Sequence, residues 1–281
     1  MTPTPRELEG ERARWERLAR DPYYAVLNEE GFRQDRVADD TKARFDHSGE
    51  RDVAETLAEI RRVIDPAFHP SWALDFGCGV GRLTIPLARE CDHITGVDIS
   101  HTMIDEARRN CETRRVSNVT LLTSDAFFAE PMSAAPTLDF VHSYIVFQHI
   151  PPRAGLWLAD ALVRRLGSGG IGALHFTYAR RASRTRRIVH RLRRLVPGLN
   201  VVANLVQHRP LLEPLIPMYR YDLGELLALL SGRGCTHVYA RLTDHGGHLG
   251  AMLLFQRGTV QDDAPEGVGG IARTTSPGAG C

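Results

Sequence analysis

Ala73-Leu74-Asp75-Phe76-Gly77-Cys78-Gly79-Val80-Gly81-Arg82-Leu83 is the stretch on which the reading of this 281-residue chain turns. Trp72–Phe76 is an apolar run of strand length, alternate glycines follow, and a helical pattern is expected over Arg82–Cys91. Strand, glycine turn and helix open an α/β unit whose ligand lies beyond the carboxyl end of the strand. Glycine permits positive φ and lets a ligand approach the backbone with no Cβ in the way. The dinucleotide fingerprint GxGxxG is not met, because Arg82 stands where its last glycine belongs. Acidic residues add to the signal. Asp75 lies inside the strand, and Asp98 ends the next one, Ile94-Thr95-Gly96-Val97-Asp98, where a carboxylate can accept from a ribose diol. Asp125 follows the third strand in Ser124-Asp125-Ala126-Phe127. Three carboxylates around one turn suit a cationic, ribose-bearing ligand better than a pyrophosphate. Each also has a plainer reading: glycines make turns, Asp75 alone is an edge residue, and an aspartate after a strand is often a helix N-cap.

Outward from this turn the chain alternates strand and helix. Strands are expected at 72–76, 93–97, 119–123, 138–143 and 171–177, with helices at 102–111 and 154–166. Such units make a mostly parallel sheet covered on both faces. A helix over 223–230 follows, then strands at 236–241 and 250–256 around Gly246-Gly247, so close together that they must pair antiparallel. Upstream, Val53, Leu57, Ile60 and Val63 or Ile64 recur at helical spacing over 51–67, before Pro66. Residues 1–50 read as a polar helical cap bearing Trp15, Tyr23, Tyr24, Phe32 and Phe45. Residues 178–220 interrupt the alternation and are too long for a simple loop, so helices are expected there over the mouth of the sheet. The expected division is thus 1–50 as cap, 51–257 as the α/β domain with its insertion, and 258–281 as a disordered tail rich in Gly, Pro, Ser and Thr.

Composition narrows the classes. A net charge of +1 argues against a general polyanion binder, and 43% hydrophobic with 25% charged residues is the balance of an ordinary globular chain. Five cysteines without a CxxC pair argue against a disulfide framework, and Cys78 reads as a small buried filler. No stretch approaches the ~20 apolar residues of a membrane span, and the N-terminal MTPTPRELEGERARWERLAR lacks a leader's apolar core. A cytoplasmic protein is expected. Ala179–Val196 carries eight arginines and no acid. It reads as a solvated lid helix, with an acidic substrate, an acidic carrier protein or an anionic membrane surface as the alternatives. Nucleic acid is disfavoured, since no aromatics interleave the arginines.

Taken in order, DFGCGVGRLTIPLA, GVDIS, SDAF, LDFVHSYIVFQHIPP and LGSGGIGALHF resemble the successive motifs of the class I S-adenosylmethionine-dependent methyltransferases, over roughly residues 53–257. The resemblance implies a three-layer, Rossmann-like, seven-stranded sheet in the order 3-2-1-4-5-7-6, with an antiparallel last strand. It implies S-adenosylmethionine as cofactor and S-adenosylhomocysteine as product, without a metal. Gly77, Cys78, Gly79 and Gly81 would cradle the methionine portion and sugar, and Asp75 would hold the turn and engage the amino group. Asp98 would hold the ribose hydroxyls, Ile99 and Met103 would pack on adenine, and Asp125 beside Ala126 would accept from its amino group. Ser143 and Tyr144 would line the floor where the methyl group leaves.

Methyl transfer is an in-line displacement, so alignment matters most, with a general base where the nucleophile carries a proton. The catalytic candidates are His149 in FQHIPP, His248 in the last hairpin turn and Tyr144, which could orient a hydroxyl; His245 is a further candidate base, and His142 is read as structural. Tyr23, Tyr24, Phe45, Gln148 and His245 are the candidate substrate contacts, and Gly49 in FDHSGE is a place for close approach to the cofactor. The expected acceptor is a small organic molecule methylated on oxygen, with nitrogen, carbon or a carrier-bound or lipid-like acceptor as alternatives. A nicotinamide-dependent oxidoreductase and a non-catalytic nucleotide-binding module are the rivals. Monomer and homodimer both stay open.

Overall fold

The computed structural model describes residues 5–27, 29–33, 39–131, 136–181 and 216–258. Helices α1 (Pro5–Leu18) and α2 (Pro22–Leu27) and a short 3₁₀ turn at Glu30–Phe32 precede a long helix α3 (Asp39–Val63). The alternation then runs β1 (Trp72–Phe76), α4 (Thr84–Ala88), β2 (His93–Asp98), α5 (His101–Thr113), β3 (Val119–Thr123), α6 (Ser124–Ala129) and β4 (Leu138–Ser143). It continues through α7 (Pro152–Arg165) and β5 (Leu166–Arg180) to α8 (Leu223–Ser231), β6 (Cys235–His245) and β7 (His248–Arg257). The strands form one seven-stranded sheet in the order β3-β2-β1-β4-β5-β7-β6. β1 to β5 pair parallel, while β7 runs antiparallel to both β5 and β6. This is the expected Rossmann-like order.

The sheet separates two apolar cores. On one face Val53, Leu57 and Ile60 of α3 pack with Phe140, Ala173, Met252 and Leu254. The opposite face gathers Leu74, Val141, Leu174 and Phe255 under Leu158, Leu162, Leu226 and Leu230 of α7 and α8. Period-2 alternation along β4, β5 and β7 sends neighbours to opposite cores, so β1 at the centre is buried along all but its first residue. The β6–β7 connection is the two-residue Gly246-Gly247 turn, with φ of 64° and 89°. That geometry needs glycine at both positions.

Several boundaries move. The glycine turn extends through Leu83, because Gly81 at φ 87° cannot start a helix, and α4 covers only five residues instead of Arg82–Cys91. α6 is a helix not expected from the sequence; Thr123 caps it, its Oγ1 accepting from Ala126 N at 3.4 Å, so Asp125 sits in the first turn rather than at the cap. The division at residue 50 falls inside α3, whose apolar stripe ties its second half to the sheet while its first half carries Phe45 into the cap. The cap has its own small core of Leu18, Tyr23, Phe32 and Phe45 against Val80 and Met103. Residues 182–215 lie outside the described residues, and with them most of the arginine-rich stretch and of the expected insertion; so does the tail beyond residue 258. Among the described residues no helix is long and apolar enough to cross a membrane.

Candidate functional site

The carboxyl ends of β1, β2 and β4 open into a cavity of about 250 Å³. Its floor begins at the glycine turn. Gly77 N and Cys78 N both donate to Val97 O, at 2.7 and 3.0 Å, so the turn is stitched to β2. Gly77 (φ 79°) and Gly79 (φ 53°) use the left-handed region. A Cβ on Gly77 would come within 2.3 Å of Val146.

Asp98 lies at the end of β2 with its carboxylate in the cavity wall. Oδ2 accepts from Gly79 N at 3.0 Å and Oδ1 from Ser100 N at 2.9 Å. Desolvation pushes its carboxyl up to about 6 against the pull of these backbone donors. The Ile99 amide acts on the same carboxylate, and of its roughly four acceptor positions at least one is left for a further donor. Ile99, Met103, Cys78 and Asp125 share the cavity wall. Burial pushes the Cys78 thiol well up, as for an inert filler.

Other expected site residues are committed elsewhere. Asp75 is buried and does not line the cavity: Oδ2 accepts from Thr84 Oγ1 at 2.7 Å and Oδ1 from His142 Nδ1 at 3.0 Å. Its oxygens fasten β1 to α4 and β4. Ser143 is sealed and donates to Phe76 O at 2.9 Å. Gly81 and Ala126 stand behind the wall. Tyr23 and Phe45 belong to the cap core and Tyr24 is buried, and none of the three lines the cavity. Tyr23 donates to Glu106 Oε1 (2.9 Å) and lies 3.1 Å from Asn110 Oδ1, and burial first, with Glu106, pushes its hydroxyl up to about 12. It docks the cap on α5. A Cβ on Gly49 would meet Arg82 O at 2.1 Å, so this glycine approaches the turn's backbone.

The roof comes from cap residues other than the expected Tyr23, Tyr24 and Phe45. Glu11 and Trp15 of α1 and Ala25, Val26 and Leu27 of α2 line the cavity. Trp15 meets the His149 ring edge-on, 5.3 Å between centroids. Arg12 pairs with Asp125, and Glu16 accepts from His101 N (2.6 Å) and Thr102 Oγ1 (2.7 Å) at the start of α5. An aromatic end is made by Phe76, Phe128 and Trp157. Only the double phenylalanine after Asp125 hints at it in the sequence. Ile145 is a β-branched residue at φ 62°, a strain of about 1–3 kcal/mol concentrated in the wall.

His149 lines the cavity, yet both ring nitrogens are occupied. Nδ1 donates to Pro217 O at 3.0 Å, and Nε2 accepts from Gln148 Nε2 at 3.1 Å, while Thr177 donates to Gln148 Oε1 at 3.0 Å. Desolvation pushes its imidazolium down to about 4. The ring is a neutral wall element, poorly suited to take a proton. Gln148 and His248 do not line the cavity. Tyr144 does, and its Oη lies 3.4 Å from His245 Nε2, so His245 stands one residue behind the wall. Among the described residues there is no group of three or more His, Cys, Asp or Glu that could hold a metal ion.

Residues 73–170 match the family described as a methyltransferase domain. The matched residues are a class I, S-adenosylmethionine-dependent methyltransferase domain. The class I domain is 30% identical over 97 residues to a 23S rRNA (uracil-C5) methyltransferase of Hahella chejuensis, covering 33% of this chain and 20% of that protein. It is 37% identical over 93 residues to a tRNA/tmRNA (uracil-C5) methyltransferase of Campylobacter concisus, covering 30% and 25%. The chain thus spans a quarter or less of the length of these two relatives. Among solved structures, magnesium protoporphyrin IX methyltransferase from Synechocystis PCC 6803 with bound S-adenosylmethionine superposes with a TM-score of 0.57 at 18% identity, over 92% of this chain and 100% of that one. An O-methyltransferase family protein from Burkholderia thailandensis gives 0.50 at 13%, over 91% and 71%. At such identities the likeness is one of fold.

Proposed function

We propose that this protein transfers a methyl group from S-adenosylmethionine to oxygen of a small organic acceptor. The observation that carries the reading is Asp98: a carboxylate already fixed by backbone amides, with acceptor capacity left over, in the wall of a cavity beside the glycine turn. Asp98 would take the ribose diol, Gly77, Cys78 and Gly79 the methionine portion, Ile99 and Met103 the adenine face, and Asp125 its amino group. When bound, the cofactor supplies a methyl group on a positively charged sulfur.

The chain's part is to bind, orient and keep out water. Alignment alone supplies up to ~7–11 kcal/mol in favourable model reactions. The acceptor would lie under the roof, between Trp15, Val26, Tyr144 and His149. The size of the cavity, its mostly apolar lining and its helical roof favour a small acceptor over RNA, although the two relatives above are named for uracil in RNA. In this reading α1, α2 and the first half of α3 form the cap, the rest to 257 the catalytic domain, and the protein works in the cytoplasm without a metal.

The test is calorimetry of the full chain with S-adenosylmethionine and with NADH, followed by S-adenosylhomocysteine release against a panel of phenols, alcohols, carboxylic acids and RNA transcripts. Binding of the sulfonium alone and turnover with a small hydroxyl or acid are expected. Heat with NADH only, or turnover with RNA only, would overturn the reading.

A further inference from the structure

The histidines around the cavity differ in what their nitrogens can do. His142 is held by Asp75 in the sealed interior, and both nitrogens of His149 are engaged. His175 is fully buried, its Nε2 2.8 Å from Thr243 Oγ1 and its Nδ1 without a partner among the described residues. Burial first, then His245 and Arg241, pushes its imidazolium down to about 3. His245 is different: half-buried in the β6–β7 hairpin, it meets the cavity through the Tyr144 hydroxyl.

Three rings fix this contact. Tyr144 packs edge-on against His175 (5.2 Å between centroids) and His245 (5.8 Å), and His175 against His245 (5.3 Å). Gly250 makes room: a Cβ there would lie 2.4 Å from His175 Nε2 and 2.6 Å from Thr243 Oγ1. The groups facing His245 come from every element around it: Tyr144 after β4, His175 of β5, Asp52 of α3, and Asp244 and Arg241 of β6. Desolvation lowers its imidazolium, while Asp52 and Asp244 pull it back up, so the ring is neutral near pH 7 yet has carboxylates beside it to balance an acquired charge. Burial and Asp52 raise the Tyr144 hydroxyl, which therefore passes a proton on rather than ionising alone.

We propose that Tyr144 and His245 form a proton relay that receives the proton of the acceptor's hydroxyl, resting on the oxygen-methylation reading above. The acceptor O–H donates to Tyr144 Oη. As the acceptor oxygen's freed pair forms the new O–C bond and the donor's S–C pair returns to sulfur, that proton moves to Tyr144 Oη and the tyrosine's own proton moves to His245 Nε2. The positive charge lost from sulfur reappears as the His245 imidazolium beside Asp52, and the proton leaves to solvent from the half-buried hairpin. His175 and Thr243 position the rings.

The test uses ¹⁵N-labelled full-length protein, with His245→Gln to assign the His245 signals. Long-range ¹H–¹⁵N correlations are expected to show His245 neutral at pH 7 with Nε2 unprotonated. Tyr144→Phe should move its titration midpoint by about half a unit or more and leave the signals of exposed His237 in place. A cationic His245 at pH 7, or the same midpoint in the variant, would overturn the relay. In turnover with a hydroxyl acceptor from the panel, His245→Gln should lower kcat by about 10²-fold. Calorimetric affinity for S-adenosylmethionine should stay unchanged, and the deficit should shrink as pH rises. Unchanged kcat, or a loss confined to KM, would count against the relay. A panel that yields no turnover despite cofactor binding would instead count against the oxygen-methylation reading, and the ring titration would still decide the relay.

Discussion

Beneath the cavity, the turn from Gly77 to Gly81 is held by backbone hydrogen bonds to β2 and within itself, and Asp98 by backbone amides. Above it, α1 reaches the rest of the molecule through side chains: Arg12 on Asp125, Glu16 on the start of α5, Trp15 on His149. The floor shares the cooperative stability of a buried parallel sheet, whereas the roof adds to its small apolar core only contacts of low individual value and is expected to open before the sheet does. A cavity built this way admits a ligand without disturbing the surface that orients it. The reading breaks if roof substitutions cost as much as floor substitutions.

The largest effect is expected at Gly77→Ala. An added Cβ would overlap Val146 at 2.3 Å, and φ of 79° disfavours any L side chain. Left-handed backbone costs about 1–2 kcal/mol and overpacking about 1–3 kcal/mol more. The melting temperature should fall by several degrees, and calorimetric binding of S-adenosylmethionine should be lost.

Asp98→Asn should come next, weakening the cofactor by about 10²-fold, since hydrogen bonds to a charged group contribute about 1.5–3 kcal/mol each. The same residue sets a pH dependence. Its folded pKa, about 6, lies above the ordinary value of 3.8, so the native protein holds the extra proton between those limits. Stability of the ligand-free protein therefore falls as pH rises through that window. Ligand binding runs the other way, because the ionised carboxylate is the better acceptor. From pH 7 to pH 5 the affinity should drop about tenfold, and Asp98→Asn should flatten both profiles. Calorimetry and thermal melts across pH 4–8 check the pair of signs.

The same contrast decides what was legible in the sequence. Floor residues carry a local signal: glycines at alternate positions after an apolar run, an acid at the end of the next strand, period-2 patterns along the strands. Those patterns led to the mostly parallel sheet with its closing hairpin, to Asp98 and to the turn, while the strand order came from the family resemblance. Asp75 was legible as a special residue but not in its partners, because nothing local reveals that Thr84 and His142 bond to its oxygens. The roof had no such signal. Tyr23, Tyr24 and Phe45 look like cavity aromatics in a polar cap, yet a cap needs its own core: Tyr23 and Phe45 supply it, and Tyr24 is buried outside the cavity. Trp15 reaches the cavity only because α1 docks on the start of α5, a tertiary property. Ile145's positive φ is equally silent, since isoleucine is a residue that propensity would place elsewhere.

Trp15→Ala sharpens the comparison from the roof side. The aromatic edge contact is worth about 0.5–1.5 kcal/mol, so release of S-adenosylhomocysteine should quicken by no more than about tenfold. Stopped-flow fluorescence measures this, and the melting temperature should move less than in Gly77→Ala.

The smallest effect belongs to Arg12→Ala. The Arg12–Asp125 pair is solvent-facing, with side-chain exposures of 27% and 62%, and such pairs contribute about 0–1 kcal/mol. Its removal should leave the melting temperature within about a degree or two. The sign of the change in cofactor affinity is the informative part. Arg12 occupies the carboxylate assigned to the adenine amino group, so freeing Asp125 should tighten binding modestly, by about threefold or less. Added salt screens an exposed pair and should erase the difference between variant and wild type. Weaker binding in Arg12→Ala would mean that the guanidinium is itself part of the ligand's surroundings, and the roof would then be a second binding wall rather than a loose cover.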